Sequence, residues 1–430
     1  MWVERVHLEN YRGFRGKVEI ALPRDLAVIC GANGAGKSSV LEAISSLLAA
    51  APFLIGGQQA VPPPAGSQNT SNISAGESLA LWMVSLMRED EDLGTFAAEA
   101  QLGDLPGSRY FEHTTRERLP ALRSDKLHEP NHPPLPALGF IHSGSTRAGW
   151  ALDQKLLARE PRLAGYLGAF DSEARQFVGL ERWYEQEENL ENQRKIDRGN
   201  LTYREPSLEA VRRAIRTFLG NLHTAELDDL RVVRAHKSTP LDPASGRLTI
   251  KKGDQTLFID QLSDGERRLV LLVADTARRM VILNPDLEDP LQTPGILAVD
   301  EIELHLHPVW QRRVVPALRA AFPKLQLILT THSPQVLASV PNESVIVLGD
   351  GKVLSNGAQV HGRDSNTILT EVMGDAERPA ETQARLDHLF DLLEPQPDAA
   401  QEELTKLEAE LGPDDPDLVR ARAMLTLMAG

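Results

Sequence analysis

The chain has 430 residues, 41% of them hydrophobic, and its 61 acidic side chains against 46 lysines and arginines give a formal net charge of -15. That length suits two or three domains with a sizeable core, and the acidic balance excludes a protein whose whole surface coats nucleic acid, leaving room only for a local basic patch. A single cysteine, Cys30, excludes an internal disulfide and points to a reducing compartment.

The N-terminus lacks a signal-peptide pattern, and the longest apolar stretch, "LLAAAPFLI", contains Pro52 and falls well short of the roughly 20 residues a membrane-spanning helix needs. A soluble cytoplasmic protein is expected. Residues 2–8, 17–21 and 25–30 alternate or run apolar in short blocks and predict strands, with Cys30 a buried residue closing the third. "GANGAGKSS", Gly31 to Ser39, follows that strand directly and opens the helical pattern "KSSVLEAISSLLAA". It fits G-x-x-x-x-G-K-[ST], the loop that wraps a β-phosphate with backbone N–H groups. The nucleotide contacts are expected from Asn33, Gly34, Ala35, Gly36, Lys37, Ser38 and Ser39. Lys37 is to reach the β- and γ-phosphates, and the Ser38 hydroxyl is to ligate Mg²⁺.

After Pro52 the run "GGQQAVPPPAGSQNTSN" has no periodicity and predicts a mobile surface loop over 55–78. Strands are expected at 78–86, 108–115 and 135–142. "EPNHPP" from Glu129 holds an Asn-His pair, but it lacks a second histidine and reads as a proline-rich turn, not a nuclease site. From about 150 to 225 the pattern is helical, and the carboxylates of "YEQEENLE" read as a solvated helix face with i, i+4 charge pairs. Short strands follow near "DLRVVRA", "RLTIKK" and "TLFID". "LSDGERRLVLLVADTARRM" then begins a helix at Ser263, Asp264 and Gly265, whose free N–H groups would attract an anion.

Between 295 and 350 strand and helix alternate in the rhythm of a parallel α/β core. "ILAVDE" is an apolar strand ending in Asp300, placed to hold Mg²⁺, and Glu301, placed to polarise an attacking water. "LILTTHS" ends in His332, which would hydrogen-bond a γ-phosphate. His305 and His307, one residue apart with no cysteine nearby, make a poor zinc site. The tail from 364 on predicts three or four helices, with "LGPDDPD" a capping turn; from Asp375 onward it carries 14 acidic and 5 basic residues.

Phosphate loop, "LSDGE", acidic strand and histidine, in that order, resemble the ABC class of ATPases, in which "LSxGE" is the signature motif. The resemblance implies that Ser263, Gly265 and Glu266 meet the γ-phosphate of ATP held by a second subunit, giving a head-to-tail dimer. "DE…LHLHP" and "TTHSPQVL" look like the RecF, SMC and OLD-nuclease branch. "ENYRGFRG" matches the same branch and brings Arg12 close to nucleotide. "GLERWYEQEENLE", "DEIELHLHPVWQRRVV" and "GRDSNTILTEVMGDAERPAE" further resemble the ATPases of bacterial Septu anti-phage systems, the PtuA group, and of related retrons.

The expected fold is therefore α/β: an ABC-class P-loop ATPase head, a mixed sheet with a parallel core, carrying an inserted helical lid region and a C-terminal helical extension. The expected divisions are an N-terminal head lobe at 1–50, a strand-rich lobe at 51–140, a helical insertion at 141–228, a C-terminal head lobe at 229–360 and the helical extension at 361–430. The implied function is a nucleotide-gated regulator of a separately encoded HNH nuclease, PtuB-like, in phage defence, with ATP and Mg²⁺ as cofactors. The alternative is a RecF-like repair ATPase binding DNA across the dimer, with Arg212, Arg213, Arg216 and Arg319 as the basic candidates. A transporter motor fits poorly, because the insertion between Lys37 and Leu262 is too long and no membrane-coupling helix is evident. A scaffold that binds ATP without turning it over is a further reading.

Overall fold

The computed structural model describes residues 1–55, 72–77, 79–88, 91–101, 107–113, 134–141, 154–170, 177–223, 227–234, 246–376 and 378–429. Most of the loop expected over 55–78, from Gly56 onward, and the Asn-His pair of "EPNHPP" lie outside them.

Fourteen strands form three sheets among the described residues. β3 (Leu26–Gly31), β11 (Gly295–Val299) and β12 (Leu325–Thr330) are buried along their whole length. They read as unbroken apolar runs because both faces of a parallel sheet are covered. With β7 (Ala137–Ile141), β13 (Val345–Gly349) and β14 (Lys352–Asn356) they make a six-stranded sheet in the order β14-β13-β3-β12-β11-β7. All neighbours are parallel except the β13–β14 pair at one edge. The register sets Ile29 beside Thr330 and Val299 beside Leu329, so the carboxyl ends of β3, β12 and β11 lie next to one another. Ligands of open α/β sheets bind at such ends. Cys30 is fully buried here, and burial pushes its thiol up to about 12, which leaves it an inert core residue.

The second sheet is antiparallel, in the order β2-β1-β4-β5-β6: β1 (Trp2–Glu9), β2 (Lys17–Ala21), β4 (Leu79–Arg88), β5 (Glu91–Gln101) and β6 (Gly107–His113). Alternation sends Ala80, Trp82, Val84 and Leu86 to the core. The buried Gln326 amide ties this sheet to the parallel one, accepting from the Val3 amide at 2.8 Å and donating to the Val3 carbonyl at 2.9 Å. The expected division at residue 50 therefore falls inside a single sheet, since β1 pairs with β2 on one side and with β4, which follows residue 50, on the other. β7 likewise belongs to the parallel core, not to a strand-rich lobe at 51–140.

Helix α1 (Lys37–Leu48) packs between the two sheets, its Val40, Leu41, Ile44 and Leu47 buried. A three-stranded antiparallel sheet, β8 (Leu227–Arg234), β9 (Gly246–Lys252) and β10 (Gln255–Phe258), leads into the long helix that starts at Asp264. Beside it lie α2 (Val178–Asp197) and α3 (Pro206–Leu222).

The solvated face expected of "YEQEENLE" is corrected here. Glu191 on α2 is 1% exposed and accepts from Lys195 at 2.7 Å, Arg212 at 2.9 Å and the Glu205 amide at 2.9 Å. A helix polar on all sides gives no periodic signal, so the sequence pattern cannot distinguish water from arginines on α3 as the partners of its carboxylates.

Residues 369–430 form a separate compact unit. Its three helices, Ala380–Leu392, Pro397–Leu411 and Pro416–Ala429, enclose a core of Leu386, Leu389, Leu404, Leu407 and Leu418. Arg378 clamps Asp415 with two hydrogen bonds, of 2.8 and 3.0 Å, at the "LGPDDPD" turn. No helix among the described residues is long and apolar enough to cross a membrane.

Candidate nucleotide site

The loop after β3 turns sharply into α1. Gly36 caps that helix with φ 102°, and a Cβ there would sit 2.5 Å from the Phe14 ring. Glycine is thus required twice, by the left-handed backbone and by the "YRGFRG" segment packed on the loop. Asn33 and Gly34 are exposed, Ala35 is buried, and Ser39 lies half-buried in the first turn of α1. Lys37 is 6% exposed, and its ammonium donates to the carbonyls of Gly31 and Ala32 at 2.9 and 3.0 Å. Burial lowers its pKa, opposed by Cys30, Asp300, Glu301 and Glu303.

Beside it, the Ser38 hydroxyl donates to Asp300 Oδ1 at 3.2 Å, and the Thr330 hydroxyl at the end of β12 donates to the same oxygen at 2.5 Å. Asp300 is 3% exposed. Glu301 follows with φ 49°, a conformation rare for a residue with a side chain. Its amide donates to Thr330 Oγ1 at 2.8 Å. Glu303 accepts from the Thr331 hydroxyl at 2.8 Å and the His332 amide at 2.5 Å, which fixes the turn carrying the histidine. Burial depresses the His332 pKa and Lys37 adds to the effect, while Glu303, Glu301 and Asp300 oppose it; the imidazole is neutral near pH 7.

Helix α4 (Asp264–Leu283) begins in a capping box. The Ser263 hydroxyl donates to Glu266 Oε2 at 2.8 Å, the Ser263 amide donates to the same oxygen at 3.1 Å, and Lys252 on β9 donates to Glu266 Oε1 at 2.6 Å. Burial pushes the Glu266 carboxyl up, but Lys252 and Ser263 together hold it below its ordinary value. A Cβ on Gly265 would lie 2.4 Å from the His305 carbonyl oxygen, and His305 itself has φ 63°. One turn on, Arg268 donates to the carbonyls of Asp300 and Glu301 at 2.9 and 2.8 Å. His307 caps the helix Pro308–Gln311, accepting from the Val309 amide.

Lys37, Ser38, Asp300, Glu301 and His332 are thus brought together at the carboxyl ends of three adjacent parallel strands. Ser263, Gly265 and Glu266 form a separate helix end, and the next turn of that helix reaches the site through Arg268. Arg12 has φ 52°, pairs with Glu42 on α1 and donates to Asn72 Oδ1 at 3.1 Å, so its charge is already engaged beside the phosphate-loop helix. Sequence reasoning misses Arg268, Glu303, Thr330 and Lys252 as parts of this arrangement. The paired arginines after "LSDGE" and a second glutamate two residues past Glu301 are the signals that could have found the first two.

Residues 113–338, more than half of the chain, match the family model described as "AAA domain, putative AbiEii toxin, Type IV TA system". The chain belongs to this family. Residues 5–53 match a second model described as an AAA domain. The chain is similar to the "Retron Ec83 probable ATPase" of Escherichia coli, 35% identical over 206 residues, which is 47% of this chain and 38% of that protein. It is also similar to the Septu protein PtuA of Bacillus mycoides (strain KBAB4), 37% identical over 90 residues, 21% of this chain and 12% of that protein. The matched segments thus span well under half of these relatives. Among solved structures, the SMC head bound to the C-winged helix domain of ScpA is 20% identical with a TM-score of 0.45, covering 82% of this chain and 98% of that one. The resemblance to Septu and retron ATPases read from the sequence is thereby met.

Proposed function

We propose that the chain binds and hydrolyses ATP and works as a nucleotide-gated regulator in phage defence. One observation carries the chemistry: the buried Lys37 ammonium and the Ser38–Asp300 hydrogen bond of 3.2 Å sit together at one strand edge, with Glu301 next in the chain. Backbone N–H groups from Asn33 to Lys37 would cradle the phosphates, Lys37 exchanging its two carbonyl acceptors for phosphate oxygens. Glu301 would accept the proton of the attacking water, and neutral His332 would donate a hydrogen bond to the terminal phosphate.

The Ser38 hydroxyl and Asp300 carboxylate are hard oxygen donors on one spot, a set that fits Mg²⁺, an ion that keeps several waters and takes few protein ligands. Bound there, Mg²⁺ would neutralise phosphate charge. Thr330 and the Arg268-anchored strand end keep the Asp300 oxygen aimed at Ser38.

Ser263, Gly265 and Glu266 are proposed to complete the same pocket in a second copy, head to tail. The capping box supports this, because it satisfies the Ser263 amide within the chain and leaves Ser263 and Asp264 exposed at a helix end that carries about half a positive charge. The proposed partner is a separately encoded HNH nuclease; the likeness to Septu PtuA supports the coarser reading of a defence ATPase with a partner. The RecF-like alternative stands second. Arg212 pairs with Glu191 and Glu188, Arg213 with Asp289 and Arg216 with Glu209, so three of its four candidate arginines are already matched by carboxylates.

The test is ATP binding and turnover by the purified chain with Mg²⁺. Lys37→Ala should lose both, and Glu301→Gln should keep binding while turnover falls about 100-fold or more. Unchanged turnover in Glu301→Gln would remove the assigned base.

A further inference from the structure

A cleft of about 550 Å³ lies between α2, α3 and strands β8 and β9, and none of its lining residues belongs to the nucleotide site. Six cationic side chains line it: Lys195, Arg204, Arg212, Arg216, Arg231 and Lys251. Against them stand three carboxylates, Glu188, Glu191 and Glu209. A local positive excess in a chain of net charge -15 runs against the general electrostatics of the molecule.

The arrangement is fixed in advance. Glu191, 1% exposed, gathers Lys195, Arg212 and, at 3.4 Å, Arg204, so three donors from three segments are held without a ligand to order them. Arg212 also meets Glu188, and Arg216 pairs with Glu209, so the carboxylates offset part of the positive charge and an excess of three cations over carboxylates is left for an anion. Arg212 is 10% exposed, and its Nε–H finds no acceptor among the described residues. Of the apolar lining residues, Ile215 and Leu230 are buried and Val232 is half-buried, and Asn192 offers an amide. Small-molecule pockets are commonly about 300–1,000 Å³, a range that includes this cleft. A lining with excess positive charge around a volume of this size suits a phosphate carried on an organic body. Inorganic phosphate would fill only a small part of the volume, and a duplex is too wide for it.

We propose that this cleft is a second ligand site, independent of the phosphate loop, for a small organic phosphate of nucleotide size. Guanidinium groups bind phosphate oxygens by paired N–H donors, and Val232 and Asn192 are left for the sugar or base. This goes beyond the ATPase reading and stands whether or not the chain hydrolyses ATP.

The experiment is isothermal titration of the full chain carrying Lys37→Ala, which silences the phosphate loop. AMP, GMP, CMP, UMP, inorganic pyrophosphate and a 5′-phosphorylated oligonucleotide serve as probes. At least one mononucleotide is expected to bind one per chain. Adding Arg231→Glu and Lys251→Glu, both exposed strand positions, should weaken that binding at least tenfold, with Arg231→Gln and Lys251→Gln falling between. The same two reversals in the chain that keeps Lys37 should leave basal ATP turnover unchanged, which separates this site from the nucleotide site. The proposal is overturned if no mononucleotide binds, if pyrophosphate alone binds, if the reversals leave affinity unchanged, or if only the oligonucleotide binds.

Discussion

Arg268, in the second turn of α4, donates to the main-chain carbonyl of Glu301 at 2.8 Å and to that of Asp300 at 2.9 Å. A planar guanidinium thereby spans two successive carbonyls, and the position of the proposed base follows the position of α4. Arg268→Ala leaves both carbonyls without this donor and should lower unfolding stability by about 2 kcal/mol in a urea titration. ATP turnover should fall more than ATP affinity, because the phosphate loop is untouched. Arg268→Lys, a point charge without the fork, should restore only part of the turnover.

Gly265 has no room for a side chain, with the His305 carbonyl 2.4 Å from where a Cβ would stand. Gly265→Ala must push the first turn of α4 away from the loop after β11, and backbone cannot yield as a flexible side chain does. A destabilisation of roughly 1–3 kcal/mol is expected. ATP binding by the monomer, followed with a fluorescent analogue, should survive, whereas nucleotide-dependent association should be lost.

His332 gives a pH signature. Burial and Lys37 hold its pKa below the ordinary histidine value of about 6.5, so the unfolded chain takes up this proton first as pH falls. The stability linked to the neutral imidazole is fully present above a pH of about 6.5 and is lost as pH drops toward the lower folded value. Chemical denaturation from about pH 7.5 to about pH 5 should show the wild-type chain losing stability relative to His332→Gln across that window. A constant difference would contradict the assignment.

The Glu191 cluster predicts a large structural effect far from the nucleotide. Glu191→Gln keeps the shape but removes the charge that faces Lys195, Arg204 and Arg212. A loss of about 3 kcal/mol is expected by denaturant unfolding, as for other buried pairs broken on one side. Glu181→Gln, on an exposed turn of the same helix, should change stability by less than about 0.5 kcal/mol.

The legible parts of this molecule are those where local pattern and burial coincide. β3, β11 and β12 are apolar throughout because both faces are covered, and the phosphate loop, Asp300 and His332 each follow the end of one of them. The chain order of these strand ends is therefore enough to group Lys37, Ser38, Asp300, Glu301 and His332. Arg268, Glu303, Thr330 and Lys252 act through partners distant in sequence, and nothing periodic marks them. Glu191 reads as solvated because a carboxylate facing arginines and one facing water have the same local sequence. β7 falls in the wrong layer since a five-residue apolar strand says nothing of its neighbour, and a boundary drawn at a change in composition cuts β1 from its sheet.

The central claim is that the Ser263-tipped helix of one chain closes the nucleotide pocket of another. Light scattering on Glu301→Gln, with and without ATP and Mg²⁺, tests it most directly. The account predicts a doubling of mass with ATP that is abolished when Ser263→Arg is added, while each chain still binds nucleotide. A mass that ignores ATP, or a dimer that persists with Ser263→Arg, would contradict it.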